Sequence, residues 1–265
     1  MEQTKPVRIL TSVAALAAAT MVWTSPPALA ATAPIAPFSE APIATAGLLT
    51  TSAAPATSEA KTECVRVRGA RACVGPDESD RPGISIEDTQ SDRLHATVEY
   101  YVNGYLGTKY VIHNLAGEGA IRGSREIGRT MTFRAAIYRG NHRMKFSRWK
   151  TVSGATKYPV KRETRLTPST ARARSKVCTS TKGVASTCFS EKDTFVYACD
   201  TGADKHQARA EYFVAGDPTA RFEIHQLAGV NTCGKAPHGD LPVSKYRASV
   251  FDHNRRVATR LYKYN

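Results

Sequence analysis

Residues 96–117 read ATVEYYVNGYLGTKYVIHNLAG, and residues 208–229 read ARAEYFVAGDPTARFEIHQLAG. The two segments align without a gap at a constant offset of 112 positions. Self-similarity at a fixed spacing is typical of a duplicated structural unit. We therefore interpret the chain as two copies of one module, residues 63–150 and residues 178–265.

The similarity continues beyond this segment. Phe133-Arg134-Ala135 returns as Tyr246-Arg247-Ala248, and Asn141 returns as Asn254, now at an offset of 113. The sequence outside the repeat is less regular. Residues 75–92 are rich in Asp, Gly and Pro, which predicts a loop.

The repeated segment has the alternation of a β-hairpin. In residues 96–102, Val98 and Tyr100 point to one face of a strand, and Glu99 points to the other. Asn103-Gly104 then begins the connection to a second strand, KYVIH. The further predicted strands of the two copies are MTFRAAIY (131–138), KFSRW (145–149), FVYACD (195–200), ARAEYFV (208–214), RFEIH (221–225), KYRASVF (245–251) and TRLYKY (259–264).

Short strands at regular spacing, without a stretch of helical period, predict an all-β protein. We expect two tandem small antiparallel β-sandwich modules related by internal duplication and preceded by a flexible N-terminal arm.

The chain has six cysteines, all of them beyond residue 30. An even number suits an oxidising compartment and a disulfide framework. The repeat favours one pairing, in which each copy closes a local hairpin and the last two cysteines join each other by elimination: Cys64–Cys73, Cys178–Cys188 and Cys199–Cys233. Cys199 and Cys233 occupy the positions of Glu87 and Ile121 in the first copy. We expect Cys233 in the loop after the central hairpin of the second copy.

The N-terminal region has the pattern of an exported protein. Residues 1–30 have a basic start, an apolar core at Ile9–Val22 and an Ala28-Leu29-Ala30 cleavage motif, which predicts a signal peptide and secretion into the extracellular space. Residues 31–62 are built mostly from Ala, Pro, Thr and Ser, which predicts a flexible arm. Either this arm is a spacer, or it becomes ordered in the groove of a protein partner through apolar anchors at Phe38, Ile43, Leu48 and Leu49.

The formal net charge of the chain is +14. Residues 151–177 carry seven basic residues against the single acid Glu163, which predicts a basic linker between the modules. The prolines of this linker argue against a continuous helix. We expect an extended segment with one short strand at its beginning. The charge serves either general solubility or a positive stripe that binds cell-wall polymer, acidic glycan, extracellular nucleic acid or an acidic protein partner. The candidate anion-binding residues are Arg134, Arg143, Lys161, Arg162, Arg247, Arg255 and Arg256.

One polar pair recurs in both copies, as Glu99 with His113 and as Glu211 with His225. If the two strands are hairpin neighbours, the carboxylate and the imidazole come within reach of each other and form a workable acid/base unit. The alternative is ordinary cross-strand pairing that holds the sheet.

Other signatures of catalysis are absent from the sequence. There is no G-x-S-x-G elbow, no H-E-x-x-H motif and no phosphate-binding glycine loop, and every cysteine has a disulfide partner. The seven histidines are not spaced as metal ligands. We therefore expect no enzyme activity, no cofactor, no metal, no membrane insertion of the mature chain and no sequence-specific binding of nucleic acid.

The segment 197–236, YACDTGADKHQARAEYFVAGDPTARFEIHQLAGVNTCGKA, resembles small secreted, disulfide-bridged β-sandwich proteins of actinobacteria such as Streptomyces. The resemblance covers residues 178–265 well and residues 64–150 more weakly, because the first copy lacks the third bridge. The layout of a flexible arm followed by a β-domain also resembles the adaptor subunit of umbrella toxin particles, in which a flexible N-terminal arm docks into a larger toxin chain. The resemblance implies a non-enzymatic adaptor of an extracellular antibacterial toxin complex.

Three functions thus follow from the sequence. The first is a secreted binding or adaptor protein that holds a protein partner through its arm or its module surfaces. The second is a small basic hydrolase of RNA or cell-wall polymer that uses a Glu/His pair. The third is passive attachment to anionic cell-wall polymer, which salt would weaken because it screens exposed charges.

Overall fold

A computed structural model describes residues 62–76, 82–103, 107–124, 130–153, 166–190, 194–238 and 241–265. These residues belong to one compact unit, Ala56–Asn265. The predicted signal peptide, nearly all of the predicted arm and part of the basic linker lie outside the described residues.

The described part of the first copy consists of antiparallel strands. In β2, Ala70, Ala72 and Val74 are buried and the residues between them are more exposed, whereas every residue of the strand Thr108–Asn114 is buried. The strands are β1 (Glu63–Val67), β2 (Ala70–Pro76), β3 (Pro82–Asp88), β4 (His95–Val102), β5 (Thr108–Asn114), β6 (Ile121–Ser124), β7 (Thr130–Arg139), β8 (His142–Phe146) and β9 (Lys150–Ser153).

The second copy repeats this series. A short helix, α1 (Pro168–Arg174), stands before it, and Thr167 caps that helix by accepting a hydrogen bond from the Thr170 backbone N–H. The strands are β10 (Val177–Thr181), β11 (Ala185–Ser190), β12 (Phe195–Asp200), β13 (Gln207–Val214), β14 (Asp217–Gln226), β15 (Thr232–Pro237), β16 (Val243–Asp252), β17 (Arg255–Thr259) and β18 (Lys263–Tyr264).

The strand pairing is equivalent in the two copies. The first copy has a four-stranded sheet in the order β1-β2-β3-β6, and the second has one in the order β10-β11-β12-β15. All remaining strands form one ten-stranded sheet, whose main order is β17-β16-β13-β14-β5-β4-β7-β8, with β18 on β16 and β9 on β7. The all-β class, the sandwich layers and the duplication are therefore confirmed.

The two copies are fused through the pairing of β5 with β14, which sequence analysis did not predict. Seven residue pairs connect these strands, from Asn114 opposite Ala220 to Thr108 opposite Gln226. The register places Val111 opposite Glu223, and these are equivalent positions of the two copies. A pseudo-two-fold axis therefore passes through the middle of this ladder, so the duplicated chain is built like a symmetric dimer of modules.

One face of the ten-stranded sheet packs on both four-stranded sheets. A single apolar cluster extends over this interface and includes side chains from both copies, among them Val98, Ile112, Tyr212 and Ile224. Equivalent aromatic pairs stack in each copy, with ring centroids 5.2 Å apart in the first copy and 5.4 Å apart in the second. The core is thus shared between the copies, and a change near the β5–β14 ladder affects both.

The cysteine pairing is confirmed in full: Cys64–Cys73, Cys178–Cys188 and Cys199–Cys233 are disulfides. Each joins residues directly opposite each other on paired strands. Such bonds are typical of proteins that fold in an oxidising compartment. No helix among the described residues is long and apolar enough to cross a bilayer.

Several predicted elements were wrong in detail. The predicted loop 75–92 contains β3, and Cys233 lies in β15 and not in a loop. The predicted strand KFSRW is divided between β8 and the residues before β9, and TRLYKY is divided between β17 and β18. Asp, Gly and Pro in 75–92 obscured the buried alternation of Ile84 and Ile86 in β3.

Candidate functional site

The face of the ten-stranded sheet opposite the shared core carries an ionic network. Glu99, on β4, is fully buried there. The Arg134 guanidinium donates to Glu99 Oε2 from Nε at 3.0 Å and from Nη2 at 2.6 Å, and the Tyr138 hydroxyl donates to Glu99 Oε1 at 2.5 Å. Arg143 and Lys109 complete the surroundings at 3.2 Å and 3.6 Å. Glu99 is therefore held by cations and a hydroxyl on all sides.

Glu211 has the same role in the second copy, on β13. Arg247 donates to Glu211 Oε2 at 3.0 Å and 2.5 Å, and Arg256 donates to Oε1 at 2.6 Å. Ser249 also donates to Oε1, at 2.6 Å, and the Tyr262 hydroxyl reaches Oε2 at 3.3 Å. Arg247 and Arg256 are the counterparts of the two arginines that hold Glu99. This arrangement of one carboxylate and two arginines is thus kept in both copies.

A third carboxylate lies at the junction between the copies. The repeated histidines His113 and His225 contact Glu223, one at each oxygen, with Nε2 to Oε1 at 2.9 Å and Nε2 to Oε2 at 2.8 Å. Arg221 donates to Oε1 from 3.1 Å. Glu223 therefore connects the histidine of one copy to the histidine of the other.

The two histidines differ in the partners of their ring nitrogens. His113 Nε2 lies 2.9 Å from Glu223 Oε1 and 3.1 Å from Arg221 Nη2, and its Nδ1 lies 2.9 Å from His95 Nε2 and 3.3 Å from the Thr97 hydroxyl. His225 donates Nε2–H to the same carboxylate, and its Nδ1 is buried without a hydrogen-bond partner among the described residues. Both imidazoles thus contact Glu223 through Nε2.

The protonation states follow from burial and from the neighbouring charges. Burial lowers the pKa of His95 to about 3, and it also lowers the pKa of His113 and, more strongly, of His225. Burial alone would raise the pKa of Glu99 and Glu223. Lys109 and Tyr138 hold the pKa of Glu99 far below its usual range, and His113 and Arg221 do the same for Glu223. The histidines are therefore neutral and these two carboxylates are charged near neutral pH.

Aromatic rings cover the arginines of this network. The Arg134 guanidinium lies 4.2 Å from the centroid of the Trp149 ring, and Arg247 lies 4.1 Å from that of Tyr262. Arg209, which is 3.9 Å from Glu223, lies 3.6 Å from the Phe251 ring. Stacking of this kind shields the charges from water and strengthens their attraction to the carboxylates.

No protein-family model and no curated protein matches the chain. Among solved structures, the chain is similar to "Crystal structure of chicken CNTN1 FN1-FN3 domains" at a TM-score of 0.22 and 9% sequence identity. The match covers 75% of this chain and 61% of that chain, so this chain spans about three fifths of the length of the matched structure. The architecture given above therefore rests on strand pairing alone, and the comparison assigns no function.

The predicted acid/base pairs do not form. The ladder between β4 and β5 places Glu99 opposite Val111 and His113 opposite Thr97. The ladder between β13 and β14 places Glu211 opposite Glu223 and His225 opposite Arg209, so neither glutamate is the cross-strand neighbour of its predicted histidine. Each glutamate is bound by arginines, and both histidines are bound to Glu223. The alternative of cross-strand pairing is confirmed for Glu99 and Glu211, which lie directly opposite Arg134 and Arg247.

Four members of the predicted positive stripe form ion pairs within the protein. Arg134, Arg143, Arg247 and Arg256 are engaged with the two glutamates. Arg255 is exposed on β17. The remaining predicted anion-binding residues, Lys161 and Arg162, lie outside the described residues, as do Phe38, Ile43, Leu48 and Leu49 of the arm.

Sequence reasoning missed Glu223 as the centre of the network. Its counterpart in the first copy is Val111, so a search for repeated polar residues passes over it. The available signal was its place two residues from His225 and Arg221, on the same face of a strand. Within the described residues, no group of three or more His, Cys, Asp and Glu side chains is arranged to hold a metal ion.

Proposed function

We propose that the protein is a secreted, non-enzymatic adaptor that binds a protein partner through the N-terminal arm and uses the fused modules as a rigid base. The partner we propose is a larger chain of an extracellular antibacterial toxin complex, in line with the resemblance of residues 197–236. The observation that carries the proposal is that the repeated Glu and His side chains are buried in contacts that hold the fold, the glutamates within each copy and the histidines across the junction at Glu223.

Burial supports a structural role for these side chains. Glu99, Glu211, His113 and His225 are all at most 1% exposed, so a polymeric substrate has no access to them. Their proton-accepting and donating atoms are largely engaged with neighbouring protein groups. A general acid or base must reach the proton that it transfers, which these groups do not.

The joined modules suit a rigid base. In addition to the β5–β14 ladder, Arg122 of the first copy donates to the Thr219 hydroxyl at 2.6 Å and lies 3.2 Å from Asp217 of the second. Tyr110 donates to the Lys235 backbone carbonyl at 2.7 Å. Contacts of this kind fix one copy against the other, so that the arm leaves a base of constant shape.

The arm provides the test. Full-length protein, a Δ31–62 variant and a variant with Phe38, Ile43, Leu48 and Leu49 changed to Ser are incubated with culture supernatant of the producing bacterium. A matched control changes Ala33, Ala36, Ala44 and Ala46 to Ser. Captured chains are identified by mass spectrometry, and complex formation is measured by size-exclusion chromatography with light scattering.

We expect one partner to bind the full-length and control proteins and to be lost from the other two. Partner binding that survives the loss of the four apolar anchors would contradict an arm-mediated adaptor. A full-length protein that stays monomeric in every supernatant would contradict the adaptor function altogether.

A further inference from the structure

An open cavity of about 760 Å³ lies beside the turn between β1 and β2 in the first copy. This volume is within the range of small-molecule sites. Three arginines and one glutamate line the cavity, so its charged side chains sum to +2: Arg66, Arg68, Arg71 and Glu87. None of the carboxylates and arginines of the ionic network on the ten-stranded sheet is among the lining residues.

Two of these arginines are paired with each other across the hairpin. Arg66 and Arg71 lie directly opposite each other in the β1–β2 ladder. Both point away from the shared core, because Val65 and Val67 pack against that core on either side of Arg66, and buried alanines flank Arg71. Opposite residues of a ladder have Cβ atoms about 4.5–5.5 Å apart, and like charges at this spacing repel. The pair therefore destabilises the hairpin unless an anion lies between the two guanidinium groups.

The protein itself supplies only one counter-charge at this cavity. Arg71 lies opposite Glu87 of β3, with Nε 2.6 Å from Oε2. Arg66 and Arg68 are exposed, and within the described residues neither of them has a carboxylate partner. Glu87 thus balances one arginine of the three, and two guanidinium groups remain available to a ligand.

The second copy has the same hairpin without this charge. Arg66 stands two residues after the first cysteine of its hairpin and Arg71 two residues before the second, and the residues at these places in the second copy are Ser180 and Ser186. The two serines are again directly opposite each other. Because the hairpin closes equally well with uncharged residues, neither its strand pairing nor its disulfide requires the arginines. Their presence in the first copy indicates a role in binding.

The positions of the arginines fit a tetrahedral oxyanion. Arg66 and Arg71 come from neighbouring strands and Arg68 from the turn that joins them, so they are anchored at three different places around the cavity. A carboxylate is satisfied by the fork of a single guanidinium, whereas the oxygens of a phosphate group extend in several directions and accept from several arginines. The side chains of Thr89 and Gln90 add further hydrogen-bonding groups to the lining.

From these observations we propose that the first module binds a phosphate group in this cavity, with Arg66, Arg68 and Arg71 as its donors. The phosphodiester of a polymer and a free or terminal phosphate present the same oxygens, and the test below separates these two sources. The second module has no equivalent site, because serines replace the paired arginines. This binding is independent of the proposed adaptor function.

The test is a ¹H–¹⁵N NMR titration of the full chain at constant ionic strength. The probes are sodium phosphate, sodium dimethyl phosphate as the diester, and sodium acetate. We expect a phosphate probe to cause saturable shifts of the Nε–H signals of Arg66, Arg68 and Arg71 and of the backbone amides of residues 67–70. Binding of dimethyl phosphate assigns the site to a phosphodiester, and binding of inorganic phosphate alone assigns it to a free or terminal phosphate.

A pair of double variants separates the site from the general positive charge. Arg66→Ser with Arg68→Ser keeps the Arg71–Glu87 pair and should weaken phosphate binding at least about 10-fold, as the loss of charge-assisted hydrogen bonds predicts. Arg172→Ser with Arg174→Ser removes the same charge from exposed positions of α1 that do not line the cavity. This control should leave the affinity nearly unchanged. The remaining signals of each spectrum report whether the variant is folded.

A second pair of variants tests the competition between the ligand and Glu87. Glu87→Gln frees Arg71 and should tighten phosphate binding, whereas Glu118→Gln makes the same change of charge at an exposed position outside the cavity and should have little effect. The proposal is overturned if no phosphate probe causes saturable shifts, or if acetate binds as tightly as phosphate. Equal affinities in the two arginine double variants, or in the two glutamine variants, would overturn it as well.

Discussion

Val111 and Glu223 occupy equivalent positions of the two copies and lie directly opposite each other in the β5–β14 ladder. Because the pseudo-two-fold axis passes between them, in a perfect repeat the residue at this position would lie opposite the identical residue of the other module. Two glutamates there would repel each other, and two valines would leave His113 and His225 without their shared acceptor. The combination of one valine and one glutamate avoids both problems.

Removing the charge of Glu223 should therefore destabilise both fused modules. Glu223→Gln leaves Arg221 and the nearby Arg209 without a buried counter-charge, which typically costs about 3–5 kcal/mol. Urea unfolding at pH 7.5 measures this. The control is Glu63→Gln, because Glu63 and its partner Lys150 are 33% and 37% exposed and pairs of this kind contribute less than about 1 kcal/mol. Equal losses in the two variants would contradict a central role for Glu223.

Stability should also fall in mild acid because of the buried histidines. The pKa of each of His95, His113 and His225 is lowered in the folded state, whereas an unfolded histidine has a pKa of about 6.5. Below about pH 6.5 the unfolded chain takes up protons that the folded chain does not, so the free energy of unfolding decreases. Each histidine contributes a slope of up to about 1.4 kcal/mol per pH unit.

Urea unfolding at pH 8, 7, 6 and 5 checks this expectation. Stability should fall between pH 6 and pH 5, and it should rise slightly from pH 7 to pH 8 because burial lowers the pKa of Lys109 to about 8. The buried carboxylates Glu99 and Glu223 act in the same direction but only below about pH 4.5, where an unfolded glutamate becomes protonated. A free energy of unfolding that stays constant down to pH 5 would show that the three histidines are not buried in neutral form.

The sequence predicted local contacts better than contacts between residues that are distant in the chain. The hairpins and all three disulfides followed from the repeat, because both depend on residues close in sequence or duplicated in it. Alternation placed Glu99 and His113 on the face opposite the apolar core. It did not show that this face is buried, because that burial comes from β7, β8 and the second copy. The β5–β14 pairing left no sequence signal, since any free strand edge can accept a partner.

The disulfides should differ in their contribution to stability. Cys199–Cys233 closes a loop with a sequence separation of 34, whereas Cys64–Cys73 has a separation of 9. The loop-closure model predicts about 4 kcal/mol for the first and about 3 kcal/mol for the second. The two double variants with alanine at these cysteines are compared by urea unfolding. Loss of Cys199–Cys233 should lower the free energy of unfolding by about 1 kcal/mol more than loss of Cys64–Cys73. A larger decrease on loss of Cys64–Cys73 would contradict the model.

The junction between the copies should depend on the absence of a side chain at Gly107. A Cβ there would lie 2.5 Å from the Cβ of Ala228 in the second copy, and the backbone has φ +76°. Gly107 also accepts a hydrogen bond from the Leu227 backbone N–H at 2.6 Å, at one end of the β5–β14 ladder. Gly107→Ala therefore strains its own backbone and pushes the two copies apart.

Gly216→Ala isolates the second effect, because Gly216 has φ +83° and open space around its Cβ position. Both variants should lose about 1–3 kcal/mol through backbone strain, and only Gly107→Ala should lose more through the clash with Ala228. Hydrogen exchange gives an independent readout. Amides of β5 and β14 should exchange faster in Gly107→Ala and at the normal rate in Gly216→Ala, because only the former disturbs the pairing that fuses the modules. Equal stability losses with unchanged exchange in that ladder would mean that the copies do not approach each other at Gly107 and Ala228.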